Sequence, residues 1–137
     1  MRYEHLMVEC GIQTRDTMPI RSYRDLDVWN NGLELITMTY RLTSSFPREE
    51  LFGLTSQMRR ASVSIVANVA EGWGTGYRNE YRRFVSTARG SQCELDALLT
   101  ISKRLGFARG QDIQRMEMEI DRLGRMLWSL RQRLATR

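Results

Sequence analysis

Six arginines carry the one clear hint of chemistry in this chain. Arg78, Arg82 and Arg89 fall within about 40° of one another around a helix, so they form a basic stripe that faces away from that helix's apolar side. Arg83 lies further round, and Arg59 and Arg60 stand on the preceding helical segment. Arginine presents a planar fork of donors that matches phosphate, and a stripe of this kind can follow a nucleic-acid backbone. The competing reading is a solvated face balanced by Glu49, Glu50 and Glu80. No aromatic is interleaved in the stripe, so base stacking is not signalled. The net charge of +5 is modest, and Lys103 is the only lysine among 21 basic residues. RNA or DNA is therefore one candidate partner and a protein is the other.

A second stretch, "VANVAEGWGTG" (Val66–Gly76), places Gly72, Gly74 and Gly76 at every other position. A phosphate loop would need a preceding strand and a Gly-Lys-Ser/Thr ending that leads into a helix. Here a helical pattern precedes the glycines and no lysine closes them; the dinucleotide fingerprint fails on spacing too. Gly72 and Gly74 read instead as residues that stop a helix by taking left-handed conformations, with Trp73 folding back onto the bundle end. The stretch is a connection between helices.

Reaction chemistry is thin elsewhere. His5 is the only histidine and lies in an N-terminal leader. Glu94 and Asp96 are two apart and do not share a helix face. Glu117 and Asp121 are four apart and do, but flanking Arg115, Arg122 and Arg125 make them an ion-paired surface. Cys10 and Cys93 form neither a disulfide framework nor a zinc spacing. Nothing resembles a nucleophile–base pair. No enzyme, metal or cofactor is expected.

The elements that must position the arginines are helical. The 137 residues fit one domain, and prolines occur only at 19 and 47. Residues 1–22 show no sustained period and read as a flexible leader, with Met18 as a candidate natural start; residues 23–137 form the domain. Asp25 offers an N-cap for a first helix over about 26–45. Trp29, Leu33, Ile36, Tyr40 and Thr43 make one face of it, and Val28, Leu35 and Leu42 make a second stripe about 140° away. Two apolar faces require two partners, and the second stripe meets either another helix of the domain or another subunit.

After Pro47 a second helix is expected over about 51–72, with Leu54, Met58, Ala61, Ile65 and Val69 as its seam. Asn68 beside that seam needs hydrogen-bond partners, which makes it a link between helices. A third helix over about 78–104 carries Tyr81, Phe84, Val85, Ala88, Leu95, Leu98 and Leu99 inward, and Gly106 ends it. The fourth, over about 111–134, alternates steps of three and four from Ile113 through Leu123 to Leu134, a coiled-coil-like seam. Trp128 lies off that seam at the surface, where an interface would recruit it. The fold class is all-α, an antiparallel up-down four-helix bundle. No run is long and apolar enough to span a membrane, and the N-terminus has no signal-like block, so the expected compartment is the cytoplasm.

"YRDLDVWNNGLELI" (Tyr23–Ile36), "FPREELFGLTSQMRRASVSI" (Phe46–Ile65), "NVAEGWG" (Asn68–Gly74) and "EYRRFVSTARGSQCELDALLTISKRLGF" (Glu80–Phe107) resemble, in order and spacing, the helical proteins encoded in intervening sequences of bacterial 23S rRNA genes. That family was once labelled ribosomal, and no biochemical activity is established for it. The resemblance implies a cytoplasmic four-helix bundle that assembles as a ring-like homopentamer. It also implies kinship with accessory proteins of diversity-generating retroelements, which engage nucleic acid and a reverse transcriptase through a basic surface. Arg59, Arg60, Asn68 and Glu71 are the most telling polar matches, beside Arg24-Asp25-Leu26, Val28-Trp29, Gly53-Leu54, Gln57, Ala70, Gly72, Phe84 and Gly90-Ser91. Arg60 and Glu71 fall close together around the second helix but three turns apart along it, so the contact open to each is with a neighbouring helix or subunit and not with the other. Two departures stand out: Val66 replaces a common proline, and Thr75-Gly76-Tyr77 is neutral where the family loop is basic.

Overall fold

In a computed structural model that describes residues 20–135, the chain forms four α-helices, and no strand occurs among the described residues. They are α1 (Asp27–Thr43), α2 (Ser56–Thr75), α3 (Arg78–Arg104) and α4 (Asp112–Ala135). The leader up to residue 19, with His5, Cys10 and the Met18 start, lies outside the described residues. Ile20, at the end of the expected leader, is already buried in the core.

The apolar spacing of α2, α3 and α4 places their side chains as expected. Met58, Ile65 and Val69 of α2, Tyr81, Val85, Leu95 and Leu99 of α3, and the whole Ile113–Leu134 seam of α4 are buried together. Phe84 is only half-buried. α1 packs on α2 and α4, and α3 packs on α2 and α4. Paired contacts fix the ends. Met58 meets Ser102, Lys103 meets Glu117, and Phe46 packs on Phe107 at one end. Gly72 faces Tyr81 and Phe84 at the other, where Arg78 reaches Leu134.

Four local expectations are corrected. Asp25 does not cap α1. It belongs to a 3₁₀ turn, Tyr23–Asp25, where its carboxylate accepts from the Ser22 and Arg21 amides, and Leu26 occupies the N-cap without a side-chain bond. The second helix begins at Ser56 because Leu51–Thr55 is a wider π turn, interrupted at Gly53 and held by Glu50 Oε2 on the Leu54 amide at 3.2 Å. Gly72 and Gly74 do not stop α2; both lie inside it, and Gly76, at φ 74°, is the left-handed cap. A Cβ on Gly72 would stand 2.7 Å from Phe84 Cβ, so its role is close approach to α3, while nothing lies within 4 Å of a Cβ on Gly74. Trp73 does fold back, buried edge-on against Tyr81 with ring centroids 6.1 Å apart.

The fourth concerns α1. Val28 and Leu35, expected as the second stripe, are buried in the chain's own core, and Leu42 is half-buried against it. The Trp29–Tyr40 face is the one left half-buried or exposed, whereas Thr43 turns inward with Thr39. Both threonine hydroxyls donate to carbonyls four residues back at 2.8 Å, which satisfies them inside an apolar core. Val66, in place of proline, keeps its amide in the helix and presses its Cγ1 toward Gly32 of α1.

Candidate nucleic-acid interface

The six expected arginines do not form one surface. Arg78 turns to the end of α4, donating from Nε to Leu134 O at 2.9 Å and from a terminal nitrogen to Arg133 O at 2.7 Å. It thereby satisfies carbonyls that the last turn of a helix leaves open, with a cation at the negative end of the dipole. Its guanidinium is spent on the fold, a correction to its place in the phosphate stripe. Arg83 pairs with Glu80 at 2.8 Å and lies over Phe84, an exposed i,i+3 bridge of little energetic weight. Arg59 sits between α1 and α2, donating to Thr43 Oγ1 at 2.9 Å with its guanidinium 4.5 Å from the Tyr40 ring centroid. Arg60 points outward beside it.

Arg82 and Arg89 remain together on the flank of α3 toward α4. Ser86 ties them to a residue the sequence reading passed over. Its Oγ donates to Arg82 O at 3.1 Å and accepts from Arg131 Nε of α4 at 2.7 Å. Arg131 thus stands within one turn of both. Its position next to the seam residue Leu130, about 100° round the helix, was the available signal. Among the described residues Arg82 Nε is buried without a hydrogen-bond partner.

The surroundings of this trio are one-signed. No Asp or Glu occurs between Glu80 and Glu94, or after Asp121. Those two stretches meet at Ser86–Arg131, between the Arg78–Leu134 contact on one side and the Gln92 amide on Ile120 O at 3.1 Å on the other. Trp128 stands 47% exposed on this half of α4.

The remaining expected positions serve structure or stand free. Asn68 Nδ2 donates to Ser64 O and Oγ at 2.8 and 3.0 Å, and Ser64 Oγ meets Ser91 Oγ of α3 at 2.9 Å, a relayed link between helices. Glu71 is exposed. Among the described residues no three His, Cys, Asp or Glu side chains gather as a metal site, and no helix is long and apolar enough to cross a membrane.

Residues 24–129 match the family model described as 23S rRNA-intervening sequence protein. The chain belongs to that family. The match starts at Arg24, inside the 3₁₀ turn that precedes α1, and runs through most of α4, so it takes in the arginine trio except Arg131. No curated protein matches the chain at a significant level.

Proposed function

We propose that this 23S rRNA-intervening sequence protein is a non-catalytic, oligomeric nucleic-acid-binding protein of the cytoplasm, with Arg82, Arg89 and Arg131 as its phosphate contacts. The observation that carries the reading is the contact of two stretches without acidic residues, 81–93 and 122–135, which leaves the α3/α4 surface around Ser86 and Arg131 basic. Backbone-directed contacts of this kind suit non-specific or structure-directed binding. Copies of the site in an oligomer would raise avidity without new contacts. The up-down antiparallel order is supported by the end-to-end contacts of neighbouring helices. The ring-like pentamer and the kinship with retroelement accessory proteins rest on the resemblance alone.

Fluorescence anisotropy of nuclease-treated protein with labelled RNA and duplex DNA, at low and physiological salt, tests the reading. Saturable binding that weakens as salt rises is expected, because phosphate contacts release counterions. Absence of binding at low salt would overturn it and favour the second reading, a protein-interaction scaffold. The observation behind that alternative is the exposed apolar surface of α1, α2 and the π turn that precedes α2, where Phe52 is 92% exposed.

A further inference from the structure

The arginine trio flanks an aromatic side chain that the spacing within α3 could not show. On α3, Arg82, Ser86 and Arg89 follow the spacing i, i+4, i+7, and on α4 Gly124, Trp128 and Arg131 do the same, so each set lies on one flank of its helix. Two contacts bring these flanks together in register. Arg131 Nε meets Ser86 Oγ at 2.7 Å, and a Cβ on Gly124 would stand 2.6 Å from Gln92 Nε2. Arg89 lies between Ser86 and Gln92, and Trp128 lies between Gly124 and Arg131. The two are therefore level with each other across the α3/α4 seam. Trp128 is 47% exposed, and the exposed Arg89 guanidinium makes no hydrogen bond or ion pair among the described residues. Asp121, two turns back along the same flank of α4, is already paired with Arg125 at 3.3 Å.

We propose that Trp128 is a stacking platform for an unpaired base, with Arg89 and Arg131 taking phosphates on either side of it, so that this surface prefers single-stranded nucleic acid. This rests on the phosphate-contact reading of the proposed function and adds the form of nucleic acid that the site selects. Phosphate contacts position a strand without reading it. An indole face can meet a base only where that base has left its pair, because a duplex keeps its base faces stacked inside. Aromatic rings set along a basic track hold single strands in this way, and they tolerate every base because each has a π-face.

A protein partner is the poorer occupant of this ring. Between Arg78 and Thr100 on α3, and beyond Met118 on α4, Trp128 is the one exposed large hydrophobic among the described residues. A protein contact surface is marked by a contiguous apolar patch, whereas this ring stands singly among guanidiniums.

The test is titration of the full chain with a labelled single-stranded RNA, a single-stranded DNA of the same sequence and the corresponding DNA duplex, with tryptophan emission followed in parallel. The wild type is expected to bind both single strands about fivefold or more tighter than the duplex, and its emission should fall as the site fills. Trp128→Ala should weaken single-strand binding about 5- to 100-fold and leave duplex binding and the salt slope unchanged. Trp128→Phe should bind in between and lose the quenching, since Trp73 is buried and Trp29 packs edge-on against Tyr23. Circular dichroism and size exclusion check that each variant is folded and assembles as the wild type does. A wild type that binds none of the three probes at low salt would overturn the phosphate-contact reading itself. Salt-sensitive binding that favours the duplex, or that Trp128→Ala leaves at full strength or weakens equally for strand and duplex, would overturn the stacking role while sparing that reading. A folded Trp128→Ala chain with an altered assembly state would give the ring to a protein contact and overturn the proposal as well.

Discussion

Arg78 and Arg82 are four residues apart on one flank of α3, yet they do opposite work, and substitution separates them. Removing Arg82 and Arg89 together by alanine should leave the melting temperature close to wild type and weaken RNA binding. In a plot of log affinity against log salt, the slope should fall by about 1.5, at roughly 0.7–0.9 per lost phosphate contact. An unchanged slope in the folded double variant would remove these two from the site. Arg78→Ala should instead cost about 1 kcal/mol of stability, since it strips Leu134 O and Arg133 O of their charged donor. A thermal or urea melt measures it, and binding per folded molecule should not change. Helical spacing could place Arg78, Arg82 and Arg89 on one flank, but it could not say what that flank meets. The open carbonyls that capture Arg78 belong to α4, some 55 residues away in sequence. Arg131 was missed for the same reason, because its partner Ser86 belongs to another helix.

The helices themselves were legible wherever one apolar stripe dominates, as in α3 and α4, and ambiguous where two compete. In α1 both stripes are apolar, and periodicity alone left open whether the Val28, Leu35 and Leu42 stripe meets another helix of the domain or another subunit; Val28 and Leu35 enter the chain's own core. The inward face includes Thr39 and Thr43, whose hydroxyls are hidden in bonds to their own helix and so do not read as buried from composition. The glycines at the end of α2 show a similar limit. Their spacing marked a helix end correctly, but Gly72 and Gly74 are helical and only Gly76 takes the left-handed turn. This divides their substitutions. Gly72→Ala should destabilise by about 1–3 kcal/mol, because its methyl would be driven against Phe84 Cβ and Tyr81. Gly74→Ala meets open space inside a helix and should be neutral or stabilising by up to about 1 kcal/mol. Equal effects in urea denaturation would contradict the close α2–α3 approach at Gly72.

At the scale of the molecule, which stripe of α1 faces inward decides whether one copy of the chain can fold alone. Leu35 is 1% exposed among the side chains of a single copy. Truncating such a leucine costs about 2–5 kcal/mol, and a glutamate there adds the cost of burying an unpaired carboxylate. Together these approach or exceed the roughly 5–15 kcal/mol by which an ordinary domain is stable. Leu35→Glu is therefore expected to lose most of its helicity and its cooperative melting at every protein concentration. Circular dichroism over a dilution series measures this directly. Had Val28, Leu35 and Leu42 been the contact between copies, the same substitution would yield a folded, soluble monomer. That outcome would reverse the assignment of the two stripes. Loss of folding, set beside a folded Phe52→Asp, would separate the core that each chain buries alone from the apolar surface it leaves exposed.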